Sequence, residues 1–172
     1  DVAELDITDR DAVMAFTQEN DIKIIVNCAA YTNVDKAEDD EATAELINAT
    51  AVRNLAEAMK ATDGTLFHVS TDYVFGTDGN TPRTEEMPTN PLGAYGRTKL
   101  HGEQAIAEVG TKAIIIRTAW LYSEFGNKIY QVDGNCDVFA SSLKEFILEI
   151  GKVKILLTHG DLFGVKTGTI LS

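Results

Sequence analysis

The order of apolar patterns along the chain predicts an α/β fold built on a parallel sheet. Short β-branched runs stand at 22–29 (IKIIVNCA), 65–70 (TLFHVS) and 112–117 (KAIIIR). Stretches of helical periodicity separate them. Each gap is long enough for a crossover helix, which parallel neighbours need and a tight turn cannot supply. In such sheets ligands bind beyond the carboxyl ends of the strands. The segments AAYT (29–32), STDYVF (70–75) and TAWLY (118–122) are therefore expected to open on one edge.

The elements follow in order. Thr8 is the expected cap of a helix over 9–19, with Asp11 three residues on. The run 22–29 is continuous enough for a strand buried on both faces. Residues 38–61 repeat Leu46, Ala49, Val52, Leu55, Ala56 and Met59 at helical spacing, and Gly64 lies just past the end. Residues 71–93 hold all three prolines and read as a loop. A helix is expected over 94–109. Beyond Asn127 the pattern weakens. Phe139, Leu143, Phe146, Ile147 and Ile150 suggest an amphipathic helix over 139–151, and 152–157 a strand. A boundary near 127 is the one domain limit suggested, and neither an internal repeat nor a low-complexity segment is apparent.

Composition narrows the function. The 172 residues match one ordinary domain, or one with a small appendage. With 44% hydrophobic and 24% charged residues, disorder is excluded. Fifteen Lys and Arg against 27 Asp and Glu leave a net charge of -12. That field opposes nucleic-acid binding and docking on anionic membranes. It leaves room for a small anionic ligand, which meets a local pocket. No apolar stretch nears the roughly 18 residues of a membrane span, and the acidic start lacks the marks of a secretory signal. Cys28 and Cys136 lie far apart, which suits a reducing, cytoplasmic compartment.

Tyr95 and Lys99 stand in Y-G-R-T-K at the start of a predicted helix, four apart and so on one face. An ammonium beside a phenol stabilises the phenolate, so the tyrosine exchanges a proton nearer neutral pH. Spacing alone favours a plain helix-surface pair. Thr71 adds a hydroxyl at a strand's carboxyl end. Hydroxyl, phenol and cation together suit reversible reduction of a ketone. The alternative for Ser70-Thr71-Asp72 is capping of the next turn. Asp35, Lys36 and Glu38 read as the charged first turn of a helix. Trp120 fits either a flat surface for a sugar or base, or an interior anchor. His68 reads as a core residue, and the three histidines show no metal-ligand spacing. No nucleophile elbow, CxxC pair or phosphate-binding P-loop is present.

Four segments together carry a resemblance: VNCAAYTNVDKAE, HVSTDYVFG, P-x-x-x-YG-x-x-K-x-x-GE (Pro91 to Glu103) and RTAWLYSEFGN. The chain resembles the extended short-chain dehydrogenase/reductases and, within them, the dTDP-4-dehydrorhamnose reductases, over about Leu5 to Asn127. The resemblance implies NADPH- or NADH-dependent reduction of the 4-keto group of dTDP-4-dehydro-6-deoxy-L-mannose to dTDP-L-rhamnose. It implies that Tyr95 donates the proton, Lys99 supports it and contacts a ribose, and Thr71 hydrogen-bonds the carbonyl. Asp72 and Trp120 match nucleotide-sugar contacts. Asp6, Ile7, Ala30, Tyr31 and Thr32, with Val69 nearby, match the dinucleotide lining. Such proteins often dimerise, some with Mg2+ between subunits; no metal ligands are assigned in this sequence.

The family opens with a strand, a glycine-rich turn and a helix that holds the pyrophosphate. This sequence starts past them. The expected fold is a Rossmann-like doubly wound parallel sheet without its first strand and glycine-rich loop, over 1–127. Residues 128–172 are expected to be part of a small substrate domain. A block of the family's pattern is missing between Asn127 and Lys128, so a piece of a longer polypeptide is expected. Two other readings compete. Some relatives serve as regulatory subunits, for instance of methionine adenosyltransferase, but Thr71, Tyr95 and Lys99 together favour catalysis. Nucleotide-sugar epimerases and dehydratases share the fold. Dehydratases place an acid where Tyr73 follows Thr71-Asp72, which favours the reductase.

Overall fold

The computed structural model describes residues 5–76, 83–119, 145–150 and 153–158. Strand β1 (Ile24–Asn27) pairs in parallel with β2 (Thr65–Thr71), and β2 in parallel with β3 (Lys112–Thr118). The register sets Val26 against Phe67, and Thr71 against Thr118. The parallel α/β expectation therefore holds, and the segments after β1 and β2 emerge with Thr118 and Ala119 on one edge. Two further strands, β4 (Glu145–Ile150) and β5 (Val153–Thr158), complete a five-stranded sheet of order β3-β2-β1-β5-β4. β5 is parallel to β1, and β4 is antiparallel to β5.

This corrects the expectation of a helix through 139–151. Phe146, Ile147 and Ile150 are too few to separate a period of 3.6 from one of 2. Pairing with β5 settles the choice. The remainder of that expected helix, the 127/128 junction, Trp120, Cys136 and His159 fall outside the described residues.

Helix α1 (Arg10–Glu19) starts one residue later than expected. Its cap is Asp9, not Thr8: the Asp9 carboxylate accepts from Asp11 N and Ala12 N, each at 3.0 Å. Thr8 instead bonds backward, its N and Oγ1 both donating to Asp6 Oδ1 at 2.9 and 2.7 Å. The Asp9 carboxylate, immediately before the helix, caps it, while the Thr8 hydroxyl is engaged by Asp6.

The long helix expected over 38–61 is four consecutive pieces. They are α2 (Val34–Asp39), α3 (Glu41–Glu45), a π-helical turn (Leu46–Thr50) and α4 (Ala51–Ala61). A π turn adds one residue to the repeat and so rotates the apolar stripe. That explains the one misplaced core residue: Leu46 is 42% exposed, while Ile47, Asn48 and Ala49 are buried. Val52, Leu55, Ala56 and Met59 are buried as expected. The positive-φ residue after α4 is Asp63 rather than Gly64.

Helix α5 (Ala94–Val109) has the predicted bounds. The main core joins α1, α4, α5 and the sheet through Val13, Val52, Leu55, Met59, Leu66 and Ile106. β1 alternates half-buried Ile24 and Val26 with buried Ile25 and Asn27. This differs from the two-sided burial expected of it. Helix α5 lies so close to the π turn that a side chain at Gly102 would strike the carbonyl oxygen of Asn48. Gly102→Ala is expected to destabilise by about 1–3 kcal/mol, the usual cost of overpacking, read as a lower urea midpoint with unchanged slope.

Candidate active site

The site sits where α5 lies along the carboxyl end of β2. Three contacts fix the alignment. The Lys99 ammonium Nζ donates to Val69 O at 2.8 Å. Ser70 Oγ donates to Glu103 Oε1 at 2.5 Å. The rings of Tyr73 and Tyr95 meet edge to face, with centroids 5.6 Å apart at 76°. Close approach at this end needs a glycine: a Cβ at Gly96 would collide with Tyr73 O. Thr71 lies in the chain between the strand residue that holds Lys99 and the one that packs on Tyr95.

Each side chain has a defined local state. Lys99 is 2% exposed, and burial pulls its ammonium down to about 8, against the opposing pull of Glu103. Thr71 is nearly buried; its hydroxyl donates to Asp72 Oδ1 and accepts from Tyr73 N, both at 3.2 Å. The capping alternative raised by the sequence thus exists, at the short 3-10 turn Asp72–Val74. Tyr95 is half-buried on the second residue of α5 and packs against a small cluster of Tyr31, Ala37, Ala44, Ile47 and Ala94.

The residues matched to dinucleotide lining divide by burial. Ala30 and Tyr31 are buried just after β1, and Thr32 is half-buried beside them. Val69 supplies the carbonyl that seats Lys99. Ile7 has its side chain in the main core, and its carbonyl accepts from Asn54 Nδ2 at 3.0 Å. Asp6 shapes the turn before α1, as described above. Trp120 is not among the described residues.

Sequence reading missed Asn48, which nothing in its own pattern marks. It lies fully buried in the π turn. Its Oδ1 accepts from Tyr31 N at 2.9 Å, and its Nδ2 donates to Tyr31 O at 3.2 Å and to Thr98 Oγ1 at 3.0 Å. Thr98 in turn donates to Tyr95 O at 3.0 Å. One amide therefore ties the segment after β1 to the helix turn between Tyr95 and Lys99. A helical reading with regular period hides this residue, because only the π turn rotates it inward.

His68 is a core residue, as expected, but only half satisfied. Asn27 Oδ1 is occupied by Ala29 N, so Asn27 Nδ2 donates to His68 Nδ1 at 3.0 Å. His68 Nε2 has no hydrogen-bond partner. Burial and the nearby Lys99 charge hold the imidazole well below its usual pKa, so it is neutral. Cys28 is half-buried, with its thiol pushed up by burial. Among the described residues, no group of three or more His, Cys, Asp or Glu is arranged to hold a metal, and no helix is long and apolar enough to cross a membrane.

Two outcomes are expected. Asn48→Leu strands the Tyr31 peptide group and the Thr98 hydroxyl, at a cost of about 2–3 kcal/mol in urea unfolding. The depressed Lys99 pKa also makes stability depend on pH. The unfolded lysine keeps its proton to 10.5, the folded one to about 8. Between these values the unfolded state binds more protons, so the native state gains stability as pH rises and loses it as pH falls back to 8. Relative to Lys99→Met, the wild type is expected to gain up to about 3 kcal/mol across that window, measured by unfolding at a series of pH values.

Similarity to known proteins agrees with this geometry. The family described as RmlD substrate binding domain matches residues 1–132. A dTDP-4-dehydrorhamnose reductase of Mycolicibacterium smegmatis is 50% identical over 121 residues, covering 70% of this chain and 36% of that protein. That of Escherichia coli K12 is 40% identical over 148 residues, covering 86% of this chain and 45% of that protein. The crystal structure of dTDP-4-dehydrorhamnose reductase from Bacillus anthracis in complex with NADP superimposes with a TM-score of 0.71. It is 42% identical and covers 74% of this chain and 45% of that one. The chain thus spans less than half the length of these relatives. With this family matching more than half of its residues, the chain belongs to the RmlD substrate-binding-domain family.

Proposed function

We propose that this chain forms the catalytic part of an NADP(H)-dependent ketone reductase whose substrate is a dTDP-4-keto-6-deoxy sugar and whose product is dTDP-L-rhamnose. The observation that supports it most is the seating of Lys99 on Val69 O, two residues before Thr71 and one helical turn from Tyr95. The relatives named dTDP-4-dehydrorhamnose reductase, one of them bound to NADP, support the same reading.

The residues at this edge suit a dinucleotide. Ala29 and Ala30 offer backbone without bulk after β1. The Lys99 ammonium has three donors, of which Val69 O engages one. A desolvated cation so placed favours a ribose hydroxyl on one side and the phenol on the other. When bound, the reduced dinucleotide supplies hydride to the carbonyl carbon. The phenol of Tyr95 gives its proton to the carbonyl oxygen as the alkoxide forms, and the resulting phenolate rests beside the Lys99 ammonium. Thr71 donates to the same oxygen, giving up its bond to Asp72. Asp72 is then available to the nucleotide-sugar, together with Trp120. The reaction is placed in the cytoplasm, where nicotinamide is held reduced and a half-buried thiol such as Cys28 persists.

In the full-length protein, Tyr95→Phe removes the proton donor and keeps the ring. Loss of NADPH absorbance with the keto sugar is expected to slow by about 100-fold or more in kcat, the usual size of a general-acid contribution. Near-normal turnover would overturn the role given to Tyr95.

A further inference from the structure

Glu103 lies one helical turn beyond Lys99 on α5 and is 6% exposed. Three groups share its carboxylate. Ser70 Oγ donates to Oε1, as noted. Arg117 Nε donates to Oε1 at 3.0 Å and Oε2 at 3.2 Å, and Nη2 to Oε2 at 2.6 Å. Arg117 also stands over the Phe75 ring, 5.0 Å from its centroid, and Nη1 donates to Glu85 O at 3.3 Å. The cluster thus joins β2, α5, β3 and the loop after β2.

A buried ion pair contributes little net stability, because desolvation offsets much of the attraction. Its placement next to the buried Lys99 is more informative. Lys99 seats on the carbonyl of Val69, and the adjacent residue, Ser70, donates to Glu103. We propose that Glu103 and Arg117 are positioning residues for Lys99, the carboxylate compensating the buried ammonium and the guanidinium limiting how much of that compensation Lys99 receives. This rests on the reductase reading above.

Burial opposes the charged form of Lys99, while Glu103 and, to a smaller extent, Cys28 favour it. From the end of β1 comes Cys28, held as a neutral thiol by burial. From β2 comes His68, held neutral by burial and by Lys99 itself. On α5 the neighbour is the Tyr95 phenol, uncharged before the reaction. Arg117 arrives from β3 through Glu103. The direction of the Glu103 effect agrees with this: it favours the charged form of Lys99 against burial.

The test compares Glu103→Gln, Arg117→Met and the double variant in the full-length protein. Urea unfolding over a pH series, each variant referenced to the same variant carrying Lys99→Met, reads the Lys99 titration without turnover. Glu103→Gln is expected to move the onset of the alkaline gain in stability down by about one pH unit. Arg117→Met moves it up by about one unit, and the double variant loses that upward shift and stays near Glu103→Gln, because the guanidinium acts through the carboxylate. The basic limb of kcat/KM with NADPH and the keto sugar follows the same pattern. A pair that only holds the fold would shift both single variants the same way or neither, and that result overturns the proposal. If Glu103→Gln fails to fold, the upward shift of Arg117→Met and its cancellation in the double variant decide. Opposite shifts in unfolding with no turnover in the wild type would sink the reductase reading alone. Turnover without opposite shifts would sink only this inference.

Discussion

The buried ammonium of Lys99 is the constraint around which the neighbouring structure is organised. A cation removed from water is costly unless it is paired and hydrogen-bonded. Here the compensation comes from a strand carbonyl, Val69 O, and a carboxylate on its own helix, Glu103. The carbonyl is available only if α5 lies almost in contact with the end of β2. That closeness dictates Gly96, where any side chain would collide with Tyr73 O. It also fixes the height of Tyr95, one turn nearer the helix start, where the Tyr73 ring meets its edge. Tyr95 is thereby placed by the lysine's need for partners.

The same helix must also meet the segment after β1, and there the fit is made by Asn48. A regular helix through 41–61 would turn this side chain away from Tyr31. The π turn rotates it inward, so that one amide satisfies the Tyr31 peptide on both sides and still reaches Thr98. Gly102 lets α5 settle on the Asn48 carbonyl. The irregular turn costs helical regularity and gains a buried bridge between the segment after β1 and helix α5. Local strain of this kind persists where the surroundings over-determine it, often beside functional sites.

These features divide according to how far a sequence pattern reaches. Strands β1 to β3 and helix α5 were legible because each has a continuous apolar run or a full-length period. Thr71, Tyr95 and Lys99 were legible because strand ends and a spacing of four locate them. The cap at Asp9 was missed because Asp9 and Thr8 are adjacent and equally suited; the backward bonds of Thr8 to Asp6 decide between them. Leu46 was misread and Asn48 missed, since the π turn rotates the buried stripe away from the one and onto the other. Strand β4 was misread because six residues fit two periods and the choice is made by a partner strand. Glu103 appeared only as the last letter of a motif, and its role depends on Arg117, which approaches from a different strand.

The net charge of -12 looks unsuited to the nucleotide-binding role proposed for this edge until the charges are placed. Along the seam between α3 and α5, Glu41 meets Arg97 at 3.0 Å and Glu45 meets His101 at 2.9 Å, both pairs repeating every four residues. Arg53 and Glu108 continue the series between α4 and α5, and Arg10 reaches Glu57 between α1 and α4. These are solvent-exposed pairs, each contributing little to stability, and they occupy acidic side chains on the outer helical layer. The sheet edge instead presents Lys99 in a low-dielectric setting, where one cation acts more strongly than several in water. A polyanion spread over the surface meets the acidic excess, whereas the compact dinucleotide proposed for this edge would meet the buried ammonium. Global charge and local site therefore select different partners, and the depth of Lys99 is what separates them.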